Sequence, residues 1–307
     1  MTERTLVVGA SGALGHYCLR SLEAEAEPSE IATFGRTQVP GFRHFSGSIF
    51  NASEVDKVLL EFRPTRLFLL AWETTHGSYW EDPVNKDWAD ATLNMANRSA
   101  ELGAETVSFA GTCAEYVWGP EWLDDTVDPT EGDPQPTTLY GREKLRATLG
   151  ILELAKRSSV TCQSCRIFSP FCEIETANRI TSVVVRKALK GEKLHLTSGD
   201  VYRDIAHTKR IADAIVRLST QERSGVFNIS TGRRQHMGAF LQEIASNVCQ
   251  DDLVSWNEWN ETGAQTTQPR HLVGHSGRLG FELVSKEQME ADIKEFTEAS
   301  MERFSMG

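Results

Sequence analysis

The sequence predicts an α/β fold, in which a doubly wound parallel sheet is followed by a smaller C-terminal lobe. Three observations favour this fold: a glycine-rich turn follows the first apolar strand, short strands alternate with helical patterns up to about residue 168, and the pattern is less regular beyond it. Alternation of this kind is typical of a parallel sheet with helices on both faces. We therefore predict a first domain over residues 1–168 and a second lobe over residues 169–307, part of which returns to the first domain.

The predicted elements follow in chain order. Runs of β-branched and aliphatic residues predict strands at Thr5–Val8, Ile31–Phe34, Arg66–Ala71, Thr106–Ala110 and Thr161–Phe168. Apolar residues at helical spacing predict helices at Leu14–Glu25, Ala52–Phe62, Asn85–Leu102 and Leu139–Lys156. In the second lobe, helical patterns cover Ile180–Lys190, Ile211–Ser219 and Gly238–Asn247, and a polar helix comes last.

The first strand runs into three glycines spaced three apart. Gly9 permits a tight turn, Gly12 has no Cβ to keep a pyrophosphate from the backbone N–H groups, and Gly15 lets the next helix lie close to its strand. A strand, this turn and a helix in succession are the context that a dinucleotide site needs. The turn therefore predicts a Rossmann domain whose phosphate-binding residues are Gly9, Ser11, Gly12, Ala13, Leu14 and Gly15.

A second motif opens the helical pattern at Leu139. Tyr140 and Lys144 are four residues apart, which places both side chains on one helical face. A free phenol has a pKa of ~10, and a neighbouring cation favours the phenolate, so we expect Tyr140 to exchange protons nearer neutral pH. Taken alone, the pair also fits an exposed tyrosine and a solvated lysine. Together with the glycine turn, it favours catalysis.

With these motifs the chain resembles the extended short-chain dehydrogenase/reductase family, the NAD(P)-dependent nucleotide-sugar epimerases, dehydratases and ketoreductases, almost from end to end. Thr112 ends a central strand where that family has a Ser or Thr whose hydroxyl holds the substrate oxygen. The segments Arg203–His207 and Val226–Gly232 are similar to the family's Arg-Asp-x-x-His motif and to its strand and Asn-turn. The resemblance implies an extended Rossmann fold with Thr112, Tyr140 and Lys144 as catalytic residues.

The end of the second strand indicates the cofactor. Gly35 stands where NAD-dependent proteins usually have an acid that binds the ribose 2′-hydroxyl, and Arg36 offers a fork of donors to a 2′-phosphate. We therefore predict NADP(H), with NAD(H) as the alternative. The resemblance also implies cofactor contacts from Ser48, which replaces the family's acid at the third strand, and from Ile49 and Ala71.

The residues after Thr112 bear on the reaction. In the resembling 4,6-dehydratases an acid and a base follow this position, whereas here Cys113 and Ala114 do. What remains is hydride and proton exchange at one carbinol carbon. We predict an NADPH-dependent 4-ketoreductase of (deoxy)sugar nucleotides, with an NAD-dependent 4-epimerase and a non-catalytic NADP-binding sensor or scaffold as alternatives. Cys113 is either a substrate contact or a small buried residue.

The substrate is a nucleotide-diphosphate sugar by resemblance. Trp72 and His76 follow a strand's carboxyl end, where ligands bind, and either stack on a sugar or anchor a loop. The predicted substrate-binding residues are Trp72, His76, Cys113, Glu115, Arg179 and Arg203, of which the two arginines are expected at the diphosphate. The family's Arg-x-Gly-Asp-Pro is replaced by residues 265–269, and a proline-rich loop at 128–136 is expected over the substrate mouth.

Bulk properties exclude several classes. A net charge of −11 argues against a nucleic-acid partner, which requires a basic face. No apolar run reaches the ~18 residues of a membrane span, and no signal-peptide pattern is present, so we expect a cytoplasmic protein with reduced thiols. Cys162 and Cys165 lie in one strand, where residues three apart point to opposite faces, so we expect no metal site there. The resemblance also implies a homodimer.

Overall fold

The computed structural model describes residues 3–25, 30–75, 77–119, 122–125, 136–249, 251–259 and 269–305. Its strands are β1 Arg4–Val8, β2 Glu30–Gly35, β3 Arg43–Ser46, β4 Arg66–Leu69, β5 Thr106–Thr112, β6 Trp122–Asp124, β7 Thr161–Ile167, β8 Ser169–Phe171, β9 Leu194–Leu196, β10 Tyr202–Arg203, β11 Ile205–His207, β12 Gly225–Ile229, β13 Gln235–His236, β14 Val254–Trp256 and β15 His271–His275. Its helices are α1 Ala13–Glu23, α2 Ala52–Phe62, α3 Val84–Glu101, α4 Leu139–Arg157, α5 Ile180–Ala188, α6 Thr208–Ser219, α7 Met237–Val248 and α8 Lys286–Ser305, with a short 3-10 helix at Cys113–Glu115.

Seven strands form one parallel sheet in the order β12-β7-β5-β4-β1-β2-β3. The chain runs outward from β1 to β3, then crosses back to β4 on the other side of β1. Such a reversal opens a crevice at the carboxyl ends of β1 and β4, the place where ligands bind in open α/β sheets. The predicted α/β fold with a doubly wound parallel sheet is therefore confirmed.

Helices cover both faces of this sheet. Side chains of α2, α3 and α4 pack in one core with inward residues such as Leu6 and Cys162, and α1 and α6 pack in another with Val7 and Cys165. The two cysteines thus lie on opposite faces of β7, as predicted, and each is a free thiol. Within the described residues no cluster of His, Cys, Asp or Glu has the arrangement of a metal site.

The rest of the chain builds smaller units beside the main sheet. A four-stranded sheet has the order β13-β10-β15-β6, and two two-stranded sheets pair β11 with β8 and β14 with β9. A third core, containing Phe171, Phe240 and Phe296, joins β8 to α5, α7 and α8. Because β12 lies in the main sheet, the chain after residue 168 contributes to both regions. The domain boundary itself stays a prediction.

The predicted elements agree with the observed ones to within a few residues, and α4 begins at Leu139 as predicted. The sequence did not predict the short strands β6, β8 to β11 and β13 to β15, because two to five residues carry too little periodicity. Residues 128–135 of the proline-rich loop, together with His76 and residues 265–268, lie outside the described residues. No described helix is long and apolar enough to cross a membrane.

Candidate active site

One cleft, with a volume of about 860 Å³, runs along the carboxyl ends of β1, β2, β4 and β5 to the second lobe. Its lining includes most of the predicted site residues: Gly9, Ser11, Gly12, Ala13, Leu14, Gly15, Arg36, Ser48, Ile49, Ala71, Trp72, Thr112, Cys113, Tyr140, Lys144, Arg179 and Arg203. The fold therefore brings the glycine turn and the Thr, Tyr and Lys of the second motif to one space. Of the other two predicted residues, His76 lies outside the described residues and Glu115 lies elsewhere.

The glycine turn has the geometry of a phosphate cradle. Gly9 has a φ of +89°, and a Cβ there would lie 2.6 Å from the backbone nitrogen of Ala71. A Cβ on Gly15 would collide with the carbonyl oxygen of Gly9, so α1 can approach β1 this closely only through a glycine. Gly12 is exposed at the N-cap of α1, beside the unpaired N–H groups and positive end of that helix. These residues fit a dinucleotide pyrophosphate.

Thr112 and Tyr140 meet where β5 ends and α4 begins. Thr112 is the last residue of β5 and caps the 3-10 helix, since its side-chain oxygen accepts from Ala114 N at 3.2 Å. Thr138 caps α4 by accepting from Gly141 N at 3.1 Å, which fixes the start of the helix beneath Tyr140. A hydrogen bond between the Thr112 and Tyr140 side chains lowers the phenol pKa, in opposition to burial.

Burial dominates the electrostatics of the second motif. It raises the pKa of Tyr140 well above its ordinary value and lowers the pKa of Lys144 to about 7. The Lys144 ammonium donates to Ala110 O at 2.7 Å and lies 5.9 Å from the centre of the Tyr140 ring. The expected shift of Tyr140 toward the phenolate is therefore wrong for this structure, because desolvation outweighs the neighbouring cation. Tyr140 is a neutral phenol at neutral pH.

Aromatic rings surround the phenol. Tyr79 and Trp80 stand edge-on to Tyr140 at 4.9 and 5.6 Å between ring centres, and Trp72 stands edge-on at 6.4 Å. The Trp72 indole donates to Asn85 Oδ1 at 2.8 Å, so this ring is anchored as well as exposed to the cleft. The sequence left open whether Trp72 lines the site or anchors a loop. In the structure it does both, since it lines the cleft and its indole is hydrogen-bonded to Asn85.

Cys113 also lines the cleft, with 7 % of its surface exposed. Burial raises the pKa of its thiol to about 12, although the nearby Arg203 opposes the shift. The side chain is thus a neutral thiol at neutral pH and provides no general base. It is small and buried, and it still faces the space beside Tyr140.

Glu115 is not a cleft residue, which corrects its prediction as a substrate ligand. It is fully buried, and its carboxylate accepts from Thr112 N at 2.8 Å, from Thr148 Oγ1 at 2.9 Å and from Arg166 Nε at 2.8 Å. These contacts tie the 3-10 helix to α4 and β7. Glu115 therefore positions the backbone of Thr112, and it does not line the cleft in this structure.

Two predicted arginines face the second lobe's side of the cleft. Arg203 is buried, and its Nη1 donates to the carbonyl oxygens of Tyr202, Pro269 and Arg270 at 2.8, 3.1 and 3.2 Å. Burial lowers its pKa to about 10, so it remains a cation at neutral pH. Arg179 is the N-cap of α5 and lies 3.9 Å from a carboxylate oxygen of Glu175. Both arginine side chains line the cleft and can bind an anion there.

The opposite end of the cleft has the residues predicted for the adenosine. Arg36 is exposed just after β2, and a Cβ on Gly35 would have no neighbour within 4 Å. Ser48 follows β3, and its backbone N–H donates to Glu54 Oε2 at 2.7 Å. Ile49 is buried beside it. All four residues line the cleft.

A family model described as NAD dependent epimerase/dehydratase matches residues 5–230, which include every predicted site residue. The chain belongs to this epimerase/dehydratase family. No curated protein sequence matches it significantly.

Solved structures of similar fold include enzymes of nucleotide sugars. A UDP-N-acetylglucosamine 4-epimerase from Methanobrevibacter ruminantium, in complex with UDP-N-acetylmuramic acid, is 16 % identical with a TM-score of 0.81 over 99 % of this chain and 100 % of that one. A Thermus thermophilus UDP-glucose 4-epimerase with NAD is 19 % identical, with a TM-score of 0.81 over 97 % and 98 %. A Bacillus anthracis dTDP-glucose 4,6-dehydratase with NAD is 15 % identical, with a TM-score of 0.77 over 99 % and 98 %. At these identities the likeness shows the fold.

Some residues that shape the site of this epimerase/dehydratase chain were not among the predicted ligands. Asp204 is buried and accepts from Thr231 N at 2.7 Å, Gly232 N at 3.0 Å and Gly274 N at 3.3 Å. It thus fastens β10, which carries Arg203, to the turn after β12 and to β15. Burial raises its pKa to about 6. Its place beside Arg203 in the sequence was the only available signal.

Proposed function

We propose that this chain transfers hydride between a nicotinamide cofactor and one carbon of a nucleotide-diphosphate sugar, with NADPH-dependent reduction of a 4-keto (deoxy)sugar nucleotide as the net reaction. The observation that carries the proposal is the meeting of Thr112, Tyr140 and Lys144 in the cleft that also contains the glycine turn. At the two positions after Thr112, burial raises the pKa of the Cys113 thiol to about 12, so it provides no general base at neutral pH, and Ala114 cannot titrate.

When bound, a reduced nicotinamide cofactor would supply the hydride that adds to the carbonyl carbon, while the carbonyl oxygen takes a proton. Tyr140 provides that proton, and its neutral phenol is the form that an acid requires. Thr112 orients the same oxygen through its hydroxyl. Lys144, a cation that burial has weakened, lies behind Tyr140 and within reach of the cofactor's end of the cleft. The ketone becomes an alcohol, and the reduced cofactor becomes NADP⁺.

The anionic parts of both ligands have matching cations. The glycine turn and the N-terminus of α1 would hold the cofactor pyrophosphate, and Arg36 the 2′-phosphate. Arg203 and Arg179 would hold the sugar nucleotide's diphosphate from the other side. The cofactor would also pack against three uncharged residues of the cleft, Ser48, Ile49 and Ala71.

The test is to mix the protein with NADPH and a panel of 4-keto deoxysugar nucleotides and to follow the loss of NADPH absorbance. Turnover by wild type, with a drop of about 10²–10⁴-fold in Tyr140→Phe, supports the proposal. If no panel member is reduced while the protein binds NADPH, the non-catalytic alternative is favoured. Incubation with UDP-, dTDP-, CDP- and GDP-hexoses should give no 4-keto-6-deoxy product by mass spectrometry, since the acid and base of a dehydratase are missing.

A second candidate is an NAD-dependent nucleotide-sugar 4-epimerase. It is favoured by the solved structures of similar fold, which include 4-epimerases, one of them in complex with NAD. An epimerase consumes no cofactor, so incubation of the protein with UDP-glucose and NAD⁺ should yield UDP-galactose without net change in absorbance. The same preparation, assayed by size-exclusion chromatography with light scattering, tests the proposed homodimer.

A further inference from the structure

The Lys144 ammonium lies between aromatic rings. Its Nζ is 4.0 Å from the centre of the Trp72 ring and 4.7 Å from the centre of the Phe109 ring. Its hydrogen bond to Ala110 O, at 2.7 Å, is made on β5, the strand of Phe109. The 4.0 Å separation is well inside the ~6 Å at which a ring face attracts a cation, and the attraction is strongest for tryptophan and for desolvated pairs.

Trp72 is fixed in this place by hydrogen bonds that do not involve Lys144. Its indole N–H donates to Asn85 Oδ1 at 2.8 Å, and Asn85 is fully buried in α3. The Asn85 amide in turn donates to the carbonyl oxygens of Tyr79 and Asp82, at 2.7 and 2.9 Å. The ring over Lys144 and the loop that carries Tyr79 against Tyr140 are thus held by one buried side chain.

We propose that Trp72 is a positioning residue that keeps the Lys144 ammonium charged and in place behind Tyr140. The proposal rests on the proposed function, in which Lys144 serves hydride and proton transfer. The physical need is clear, because a buried ammonium without compensation loses its proton. Three contacts replace its lost water: the carbonyl of Ala110, the ring of Phe109 and, at the shortest ring distance, the face of Trp72.

Few other groups set the charge of Lys144. Among the described residues, the titratable groups that face it are Glu115, in the 3-10 helix, and Tyr140, one turn earlier in α4. Glu115 favours the ammonium but is committed to Arg166 at 2.8 Å, and Tyr140 is neutral at neutral pH. The Trp72 face is therefore the contact whose removal should change the titration of Lys144 without altering another charge.

The experiment uses full-length protein with ¹³C-labelled lysine and follows the Cε chemical shift of Lys144 against pH by NMR, assigned by its absence in Lys144→Arg. Trp72→Leu removes the ring, and we expect the Lys144 midpoint to fall by about one pH unit or more. Trp72→Phe keeps a weaker ring and should give a smaller fall. Trp88→Phe is the matched control, because Trp88 stacks on Trp72 at 6.1 Å between ring centres and has no contact with Lys144 among those described.

An unchanged midpoint in a folded Trp72→Leu protein overturns the proposal, as does an equal fall in Trp88→Phe. If Trp72→Leu does not fold, Trp72→Phe alone tests the proposal, and an unchanged Lys144 titration midpoint in that variant overturns it. The titration needs no substrate, so its outcome is separate from the reductase assay. If a substrate is reduced, the alkaline limb of the pH profile should move in the same direction as the midpoint. If none is reduced, the proposed function fails while the Trp72 contact stands.

Discussion

Replacement of Glu115 by glutamine should weaken the protein sharply, because the substitution leaves Arg166 without its counter-charge. Arg166 is 2 % exposed and Glu115 is fully buried, and their ion pair is 2.8 Å long. Removal of one partner from such a pair costs about 3–5 kcal/mol, since the other charge stays buried and uncompensated. Loss of the carboxylate also weakens the bonds to Thr112 N and Thr148 Oγ1. We expect the free energy of unfolding in urea, followed by circular dichroism, to fall by that amount.

A double-mutant cycle tests the cause. Arg166→Met alone should cost as much as Glu115→Gln, whereas the double variant Glu115→Gln/Arg166→Met should lose much less than the sum of the two, since no buried charge remains. Glu30→Gln is the matched surface control: its pair with Arg43 is 3.0 Å long but about half exposed, so the loss should stay below about 1 kcal/mol. A loss in Glu115→Gln as small as in the control, or additive effects in the cycle, would refute the reasoning.

Other predictions concern the cleft. Tyr140→Phe should keep NADPH affinity, measured by fluorescence titration, and lower kcat by about 10²–10⁴-fold, and wild-type turnover would exclude the proposed acid. Arg36→Ala should weaken the binding of NADPH relative to NADH by about 1.5–3 kcal/mol, measured in the same titration. Tighter binding of NADH than of NADPH by wild type would contradict the cofactor assignment. Arg203→Ala should raise KM for the sugar nucleotide and leave NADPH affinity nearly unchanged, whereas equal losses would indicate structural damage. Lys144→Met should abolish turnover. The same substitution should raise the free energy of unfolding in urea at pH 7 by about 1–4 kcal/mol. The pKa of Lys144 is about 7 in the folded protein and near 10.5 when unfolded. Its contribution to stability is therefore present above pH ~10.5 and lost as the pH falls toward 7, and an equal pH dependence in Lys144→Met would contradict this.

The elements that the sequence predicted are those with strong local signals. The turn from Gly9 to Gly15 has one backbone geometry because a Cβ at either end would collide with Ala71 or with the turn itself. Helix α4 begins at Leu139, where Thr138 supplies the cap and apolar residues then recur at helical spacing. In both cases the physics is contained in a few neighbouring residues, so spacing alone was sufficient to place Tyr140 and Lys144 together.

What the sequence could not predict depends on contacts between distant segments. Glu115 stands three residues from Thr112, so in sequence it is indistinguishable from a substrate ligand. Its role is decided by Arg166 and Thr148, which β7 and α4 bring to it. A buried carboxylate is retained only where donors surround it, and those donors lie 33 and 51 residues away along the chain. The residues next to Glu115 in the sequence do not indicate where these donors are.

The protonation state of Tyr140 is the other property that only the fold reveals, and it bears on the direction of the reaction. A 4-epimerase must first remove a proton from a hydroxyl, so it needs the phenolate, whereas a ketoreductase begins with the phenol. Three aromatic rings desolvate Tyr140, and Lys144 is turned toward Ala110 O, 5.9 Å from the centre of the phenol ring. Both arrangements favour the phenol. The phenol is therefore the resting form, which a ketoreductase uses directly, and the phenolate that forms when it donates its proton has Lys144, one turn later in α4, as a neighbouring cation.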